Sequence, residues 1–321
     1  MTETIQNIVS AIRASQTFLV VSHEGPDGDA VGSSLGMAAF LRAIGKEVTV
    51  HLADPVPEIY RFLPGAEAVT PTIPDKEFDV AFVLDVGEFR RAGSLFCNFS
   101  NIGHIINLDH HLTCENFGTF NLIDENAAAT GLLVWRVAAA FNFTADYDTA
   151  LCLYVAILTD TGSFRYSNAN REAFEVAGFL MEQGGLNAWS VSEKLYESQP
   201  RKRLELLKEA LQTLEFICDD QVASITVTLD MYEKTGTNAE LTDGFVNYPR
   251  SVAGVEVAIL FRQVYDCRYK IGFRSKGKVN VARLAQGFGG GGHQNAAGGM
   301  VDGTLDEVKK IVYGAVEAAR W

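Results

Sequence analysis

The feature that most constrains this chain is an alternation, through its first half, of short apolar runs with stretches of helical periodicity. Phe18–Ser22 (FLVVS), Lys46–Leu52 (KEVTVHL), Val80–Leu84 (VAFVL) and His104–Leu108 (HIINL) read as strands. Phe18–Ser22, Val80–Leu84 and His104–Leu108 read as buried strands, the first two on nearly continuous apolar runs, as strands covered on both faces are. Between and after them the spacing predicts a helix over 30–44 that stops at Gly45, and helices over about 128–141, 147–158, 170–183 and 188–197. Strand and helix in alternation specify an α/β domain built on a mostly parallel sheet.

The texture changes near residue 200. A charged amphipathic stretch, PRKRLELLKEALQTLEFI, predicts a helix at a domain junction. Alternating strands follow at 222–229, 256–263 and 268–273, then a glycine-rich run at 287–299 and a last helix over about 304–318. At 321 residues the chain is long for one core, which also favours two domains.

Charge narrows the partners. Residues 1–200 hold 11 Lys and Arg against 25 Asp and Glu, a net of −14; the remaining 16 against 15 give +1, for −13 in all. A track for a long phosphate backbone requires a basic surface, so long nucleic acid is excluded as a partner. An acidic half can still serve a phosphate substrate when its carboxylates hold cations. No apolar run approaches the ~20 residues of a membrane helix, and the first residues lack a signal-peptide pattern. Five scattered cysteines without a CxxC pair argue for a reducing compartment. The expectation is a cytoplasmic protein without a membrane partner.

The chemistry lies in where His and Asp fall. His23, Asp27 and Asp29 follow the first strand in HEGPDGDA. Asp85 follows VAFVL. Asp109, His110 and His111 follow HIINL, and Asp160 follows the apolar run LCLYVAIL, in TDTG. Parallel strands open their C-terminal ends to one side, so four segments at strand ends would deliver these residues to one rim. A lone Asp there is ordinarily a helix cap or a turn residue, and Asp-Gly is a routine turn. Four such segments together call for a hard divalent pair, held by carboxylate and imidazole without thiolate. In the second half, Gly289–Gly292 would let backbone N–H groups approach an anion, with His293 beside them. Arg262, Arg274 and Ser275, on neighbouring strands, could hold a phosphate or stack on a base, or could be solvated strand residues. Arg91, in EFRRAG, could contact a phosphate but reads more readily as a surface arginine.

HEGPDGDA, Asp85 in VLDVGEFRRAG, LDHH at 108–111 and TDTGSF at 159–164 resemble the four motifs of the DHH phosphoesterase superfamily. GFGGGGHQNAAGG at 287–299 resembles the signature of its associated C-terminal domain, and the stand-alone RecJ-like members, bifunctional oligoribonucleases and pAp phosphatases, are the most similar type. That resemblance implies a metal-binding catalytic domain over 1–190, a linker helix region over 191–215 and a smaller α/β substrate-binding domain over 216–321, with the active site in the cleft between. It implies two Mn2+, with Mg2+ or Co2+ as substitutes. His23 and Asp27 would bind one ion, Asp29, His110 and Asp160 the other, and Asp85 would bridge them. Asp109 would hydrogen-bond a neighbouring imidazole, and His111 would face the substrate as phosphate ligand or proton donor. Arg262, Arg274, Ser275, Gly291, Gly292 and His293 would bind substrate. The family often has Ser-x-Arg-Ser where this chain has Gly272-Phe273-Arg274-Ser275, so a first serine is missing.

The implied substrates are RNA of two to five nucleotides, cut to nucleoside 5′-monophosphates, and pAp, dephosphorylated to AMP. Short DNA and pApA stand beside them, and a homodimer is implied. Hydrolysis of cyclic di-AMP or pApA is the enzymatic alternative. A non-catalytic nucleotide sensor is the alternative of a different class, and a broken ligand set would favour it.

Overall fold

The structure, a computed structural model, describes residues 2–319; the side chain of His293 lies outside that description. The chain folds as two compact units, residues 1–198 and 199–321.

The first unit carries α1 (Thr2–Ala14), β1 (Thr17–Val21), α2 (Gly28–Ala43), β2 (Glu47–His51), β3 (Phe78–Leu84), α3 (Ser94–Cys97), β4 (Ile102–Asp109) and β5 (Phe120–Ile123). Helices α4 (Thr130–Ala139), α5 (Tyr147–Asp160), α6 (Arg171–Gly184) and α7 (Ala188–Ser192) follow, and α7 runs into a π-helical turn over Glu193–Glu197. The five strands are all parallel, in the order β2-β1-β3-β4-β5. Phe18, Val20, Phe82, Ile106 and Leu108 fill the core against the helices, while Leu19, Val21, Ala81 and Val83 fill the core on the opposite face, with Phe96 of α3. Burial on both faces is why β1 and β3 are apolar almost throughout.

The strand order turns back between β1 and β3, which are neighbours although β2 separates them in sequence. At such a switch point the loops leaving adjacent strands diverge and open a crevice above their C-terminal ends. The glycines of α2 place a further element beside it. A Cβ on Gly28 would meet Thr159 Oγ1 at 2.3 Å, one on Gly32 would meet Cys152 O at 2.6 Å, and one on Gly36 would meet Leu153 Cδ2 at 2.5 Å. This glycine stripe at every fourth residue lets α5 lie directly on α2, so the end of α5 comes level with the start of α2.

The second unit begins with α8 (Arg201–Leu211), then β6 (Glu215–Ile217), β7 (Val222–Val227), α9 (Leu229–Thr235), α10 (Asn247–Ser251), β8 (Val257–Tyr265) and β9 (Arg268–Ser275). It ends with α11 (Val281–Gln286), β10 (Gly291–His293), β11 (Ala296–Asp302) and α12 (Leu305–Ala318). Its sheet runs β10-β11-β9-β8-β7-β6, antiparallel except for β7 beside β8. The stretch over 191–215 that the sequence reads as a linker divides between the units. Leu206, Leu207 and Ala210 of α8 pack on Ile225, Val227 and Phe245 of the second unit. The glycine-rich run is also more regular than a loop, because Gly291–His293 and Ala296–Asp302 form a hairpin. Strand β5 and helices α9, α10 and α11 have no sequence expectation behind them, and β6 takes the last residues of the 200–217 stretch that the sequence reads as helix.

Candidate metal centre

Asp27 is the N-cap of α2, and its Oδ1 accepts from the N–H groups of Asp29 and Ala30, both at 3.1 Å. The cap reading and the ligand reading therefore hold together at this residue, since capping fixes where the carboxylate points. Asp85 follows β3 with φ of +61°, a left-handed conformation rare outside glycine, and its N–H donates to Leu108 O at 3.0 Å. Strain of this kind persists where surrounding contacts enforce it. Asp109 ends β4, and His110 and His111 follow it. Asp160 departs from the expectation of four strand ends. It is the last residue of α5, so three strand ends and one helix end build the rim.

Two groups form around one carboxylate. His23, Asp27 and Asp85 present ligand atoms within 4.8 Å of one another, as do Asp29, His110 and Asp160. Asp85 faces both: its Oδ2 lies 3.7 Å from His23 Nε2, and its Oδ1 lies 3.5 Å from His110 Nε2. His23 Nε2 is 3.9 Å from Asp27, and His110 Nε2 is 3.7 Å from both Asp29 and Asp160. Those separations exceed hydrogen-bond length. They match atoms that share a cation at about 2.1 Å each, which stand roughly 3–4 Å apart.

The imidazoles are already oriented. His23 Nδ1 bonds Glu24 O at 2.9 Å, and His110 Nδ1 bonds Ala127 O at 3.0 Å. A carbonyl can only accept, so each Nδ1 carries the proton and Nε2 is the atom that could ligate a metal, as is usual for metal-binding histidines. His111 differs. Its Nδ1 lies 2.7 Å from Asp109 Oδ1, and Asp109 also accepts from the N–H groups of His111 and Gly87. His111 Nδ1 stands 3.6 Å from Asp85 as well, in a third group with His110. Its hydrogen bond to Asp109 makes that nitrogen a donor, and a donor nitrogen does not ligate.

Protonation reflects the crowding. Burial pushes the Asp85 carboxyl well above the ordinary range, and the charges of Asp29, Asp27, Asp109 and Asp160 push it further. Burial likewise raises Asp29, although His110 and Ser33 oppose it. Burial lowers His23 and keeps it neutral. It would lower His110 too, but the carboxylates of Asp160 and Asp29 outweigh it and raise that imidazole. Asp109 goes the other way from Asp85. Burial would raise it, yet the bonds from His111 and Gly87 hold it well below the usual range. Buried carboxylates gathered this closely need positive charge among them. The residues present fit a pair of divalent cations.

The structure also brings in residues that sequence reasoning passed over. Ser33, Thr130 and Asn168 bond Asp29, Asp85 and Asp160 respectively. Arg91 reaches the rim instead of open surface: its guanidinium approaches the backbone at Gly87, beside which the His111 ring lies, and donates to Val86 O at 3.2 Å. Only its position one loop after Asp85 could have signalled this.

In the second unit the sheet register aligns Gly272, Gly298 and Gly291 across β9, β11 and β10. Cross-strand partners share a face. The three glycines thus form a strip of bare backbone, with Arg274 two positions along β9 on one side and Lys270 two positions along on the other. Arg262 pairs with Lys270, four positions from Arg274, so the two arginines lie about 13 Å apart along the sheet. Ser275 turns to the opposite, buried face, where its hydroxyl donates to Asn295 Oδ1 at 3.0 Å and holds the hairpin turn. A Cβ on Gly290 would meet Gly298 O at 1.8 Å, and one on Gly292 would meet Ala296 O at 2.4 Å. These two glycines are demanded by the hairpin itself.

Residues 17–157 match the DHH family, N-terminal domain, and residues 219–318 match the DHHA1 domain. The chain belongs to the DHH family. Within it, the bifunctional oligoribonuclease and PAP phosphatase NrnA of Thermus thermophilus is 32% identical over 92% of this chain and 88% of its own length. The protein of the same description from Bacillus subtilis is 24% identical over 95% of both chains. Among solved structures, an exopolyphosphatase-related protein from Bacteroides fragilis superposes with a TM-score of 0.91 at 29% identity, over 99% of this chain and 96% of that one.

Proposed function

We propose that this chain is a manganese-dependent phosphoesterase that cuts RNA of two to five nucleotides to nucleoside 5′-monophosphates and removes the 3′-phosphate of pAp. The observation that carries the reading is Asp85, whose two carboxylate oxygens face one His-Asp group each. Full-length similarity to relatives described as bifunctional oligoribonuclease and PAP phosphatase supports the substrate class.

In this reading His23 and Asp27 would hold one cation, Asp29, His110 and Asp160 the other, and Asp85 would serve both. Such a pair would supply Lewis-acid charge for phosphoryl transfer to water. The chain's own residues do the rest. Asp109 holds the His111 Nδ1–H and would stabilise an imidazolium, whose Nε2–H can then pass its proton to the leaving oxygen. Arg91 adds positive charge at the rim. The bare strip of Gly272, Gly298 and Gly291, with Arg274 beside it, receives a phosphate or the flat face of a base. The complete set of ligand types supports catalysis over nucleotide sensing. Five cysteines that form no disulfide among the described residues suit a reducing, cytoplasmic setting.

The test is turnover of labelled pAp, RNA dinucleotide, DNA dinucleotide and pApA with Mn2+, against the same mixtures in chelator. The reading expects metal-dependent hydrolysis, with dinucleotide RNA and pAp turned over fastest. Preference for pApA would shift the assignment to a di-adenylate phosphodiesterase.

A further inference from the structure

The segment Ala127–Gly131, at the start of α4, contains no ligand-type side chain, yet it touches most of the metal centre. Ala127 O fixes the His110 ring at 3.0 Å. The N–H groups of Thr130 and Gly131 donate to the two oxygens of Asp29 at 2.6 and 3.0 Å, as a helix N-terminus readily does for an anion. Ala128 O accepts from Asn168 Nδ2, which also donates to Asp160 at 3.3 Å. The hydroxyl of Thr130, fully buried, donates to Asp85 Oδ1 at 3.0 Å. One turn of backbone thus registers His110, Asp29 and Asp160, and one side chain registers the carboxylate that faces both groups.

We propose that Thr130 is the positioning residue of the bridging carboxylate. Its hydroxyl fills one lone pair of Asp85 Oδ1 and fixes the carboxylate's rotation, so that Oδ1 stays turned to His110 and Oδ2 to His23. Without that donor the carboxylate can rotate about its Cβ–Cγ bond, and the two groups no longer share it in one geometry. The backbone bonds from Thr130 and Gly131 to Asp29 survive a side-chain change, so the hydroxyl can be tested alone. Removal of a group that orients a metal ligand costs about 10–100-fold in metal affinity.

This assignment rests on the metal-site reading above, and the experiment separates the two. Mn2+ binding is measured by calorimetry on wild type, Thr130→Val and Thr130→Ser, with the melting midpoint of each in chelator. Thr130→Val keeps the β-branched shape and loses the donor; its Mn2+ affinity should fall at least tenfold while its chelated midpoint stays near wild type. Thr130→Ser restores the donor and should restore affinity. Equal affinity in wild type and Thr130→Val would overturn the assignment, as would a loss that Thr130→Ser fails to recover. If Thr130→Val does not fold, Thr130→Ala carries the comparison, and wild-type affinity there overturns it equally. Wild type that takes up no Mn2+ would remove the metal site itself, and this role with it.

Discussion

At the scale of residues, Asp85 is an acidic group buried among other carboxylates and held at positive φ, and two costs at one position call for a common cause. In the proposed function, a cation on either side of it would be that cause. Asp85 titrates higher in the folded chain than in the unfolded one. Its contribution to the stability of metal-free protein is therefore full below the ordinary carboxylate value, near pH 4, and is lost as pH rises through the raised value. Asp85→Asn should raise the metal-free melting midpoint at pH 8 by a few degrees, at about 2–4 °C per kcal/mol, and narrow the gap between pH 5 and pH 8. A variant that melts lower than wild type at pH 8 in chelator would contradict the buried-charge account. His110 and His111 separate two roles. His110→Ala should reduce occupancy at the ion shared with Asp29 and Asp160, whereas His111→Ala should keep both ions and slow turnover by about 10²–10⁴-fold. Metal analysis beside steady-state rates distinguishes them, and equal metal loss in both variants would merge the roles.

At the scale of elements, the site depends on how closely backbones approach. Gly32 faces the backbone of Cys152 with no space for a side chain, so Gly32→Ala must push α5 away from α2. Overpacking of this kind costs about 1–3 kcal/mol, and the displacement also moves Asp160 from Asp29. Denaturant unfolding with Mn2+ titration should show both losses; a loss of stability with unchanged metal affinity would mean that the helix contact does not set the site. The β10–β11 hairpin allows a cleaner separation. A Cβ on Gly291 meets no atom within 4 Å, whereas one on Gly290 meets backbone. Gly291→Ala should leave the melting midpoint unchanged and raise KM about tenfold, if substrate approaches the bare strip. Gly290→Ala should lower the midpoint of the second unit. An unchanged KM in Gly291→Ala would leave the glycines with a purely structural role. The sheet of the first unit was legible because continuous apolar runs such as VAFVL can bury both faces. The hairpin was not legible as such, since glycine has no side chain to display a period of two. Strand β5 (FNLI) was missed for a related reason: at four residues it is too short for any pattern.

At the scale of the whole molecule, the His and Asp that converge on the rim and their order along the chain could be read before any coordinates, because such residues directly after apolar runs mark the ends of strands or, for Asp160, of a helix. What holds them could not. Thr130 and Asn168 are ordinary residues in sequence, and their roles exist only through contacts 45 and 8 positions away. Charge sets a limit on substrate length. With a net of −14 over residues 1–200, no long phosphate backbone gains by lying along the first unit. Turnover per end should therefore fall as a single strand lengthens from two to about twenty nucleotides, and rates on such a ladder at constant end concentration measure it. Equal rates along the ladder would contradict a site for short substrates.

The central claim is that two His-Asp groups and the carboxylate between them make one metal-dependent hydrolytic site. Turnover of a labelled dinucleotide by wild type and by Asp85→Asn, with bound Mn2+ counted in the same samples, tests it most directly. The account predicts two Mn2+ per wild-type chain with release of mononucleotides, and fewer Mn2+ with turnover reduced to background in Asp85→Asn. Wild-type turnover in Asp85→Asn, or wild type loaded with Mn2+ that leaves the dinucleotide intact, would contradict it.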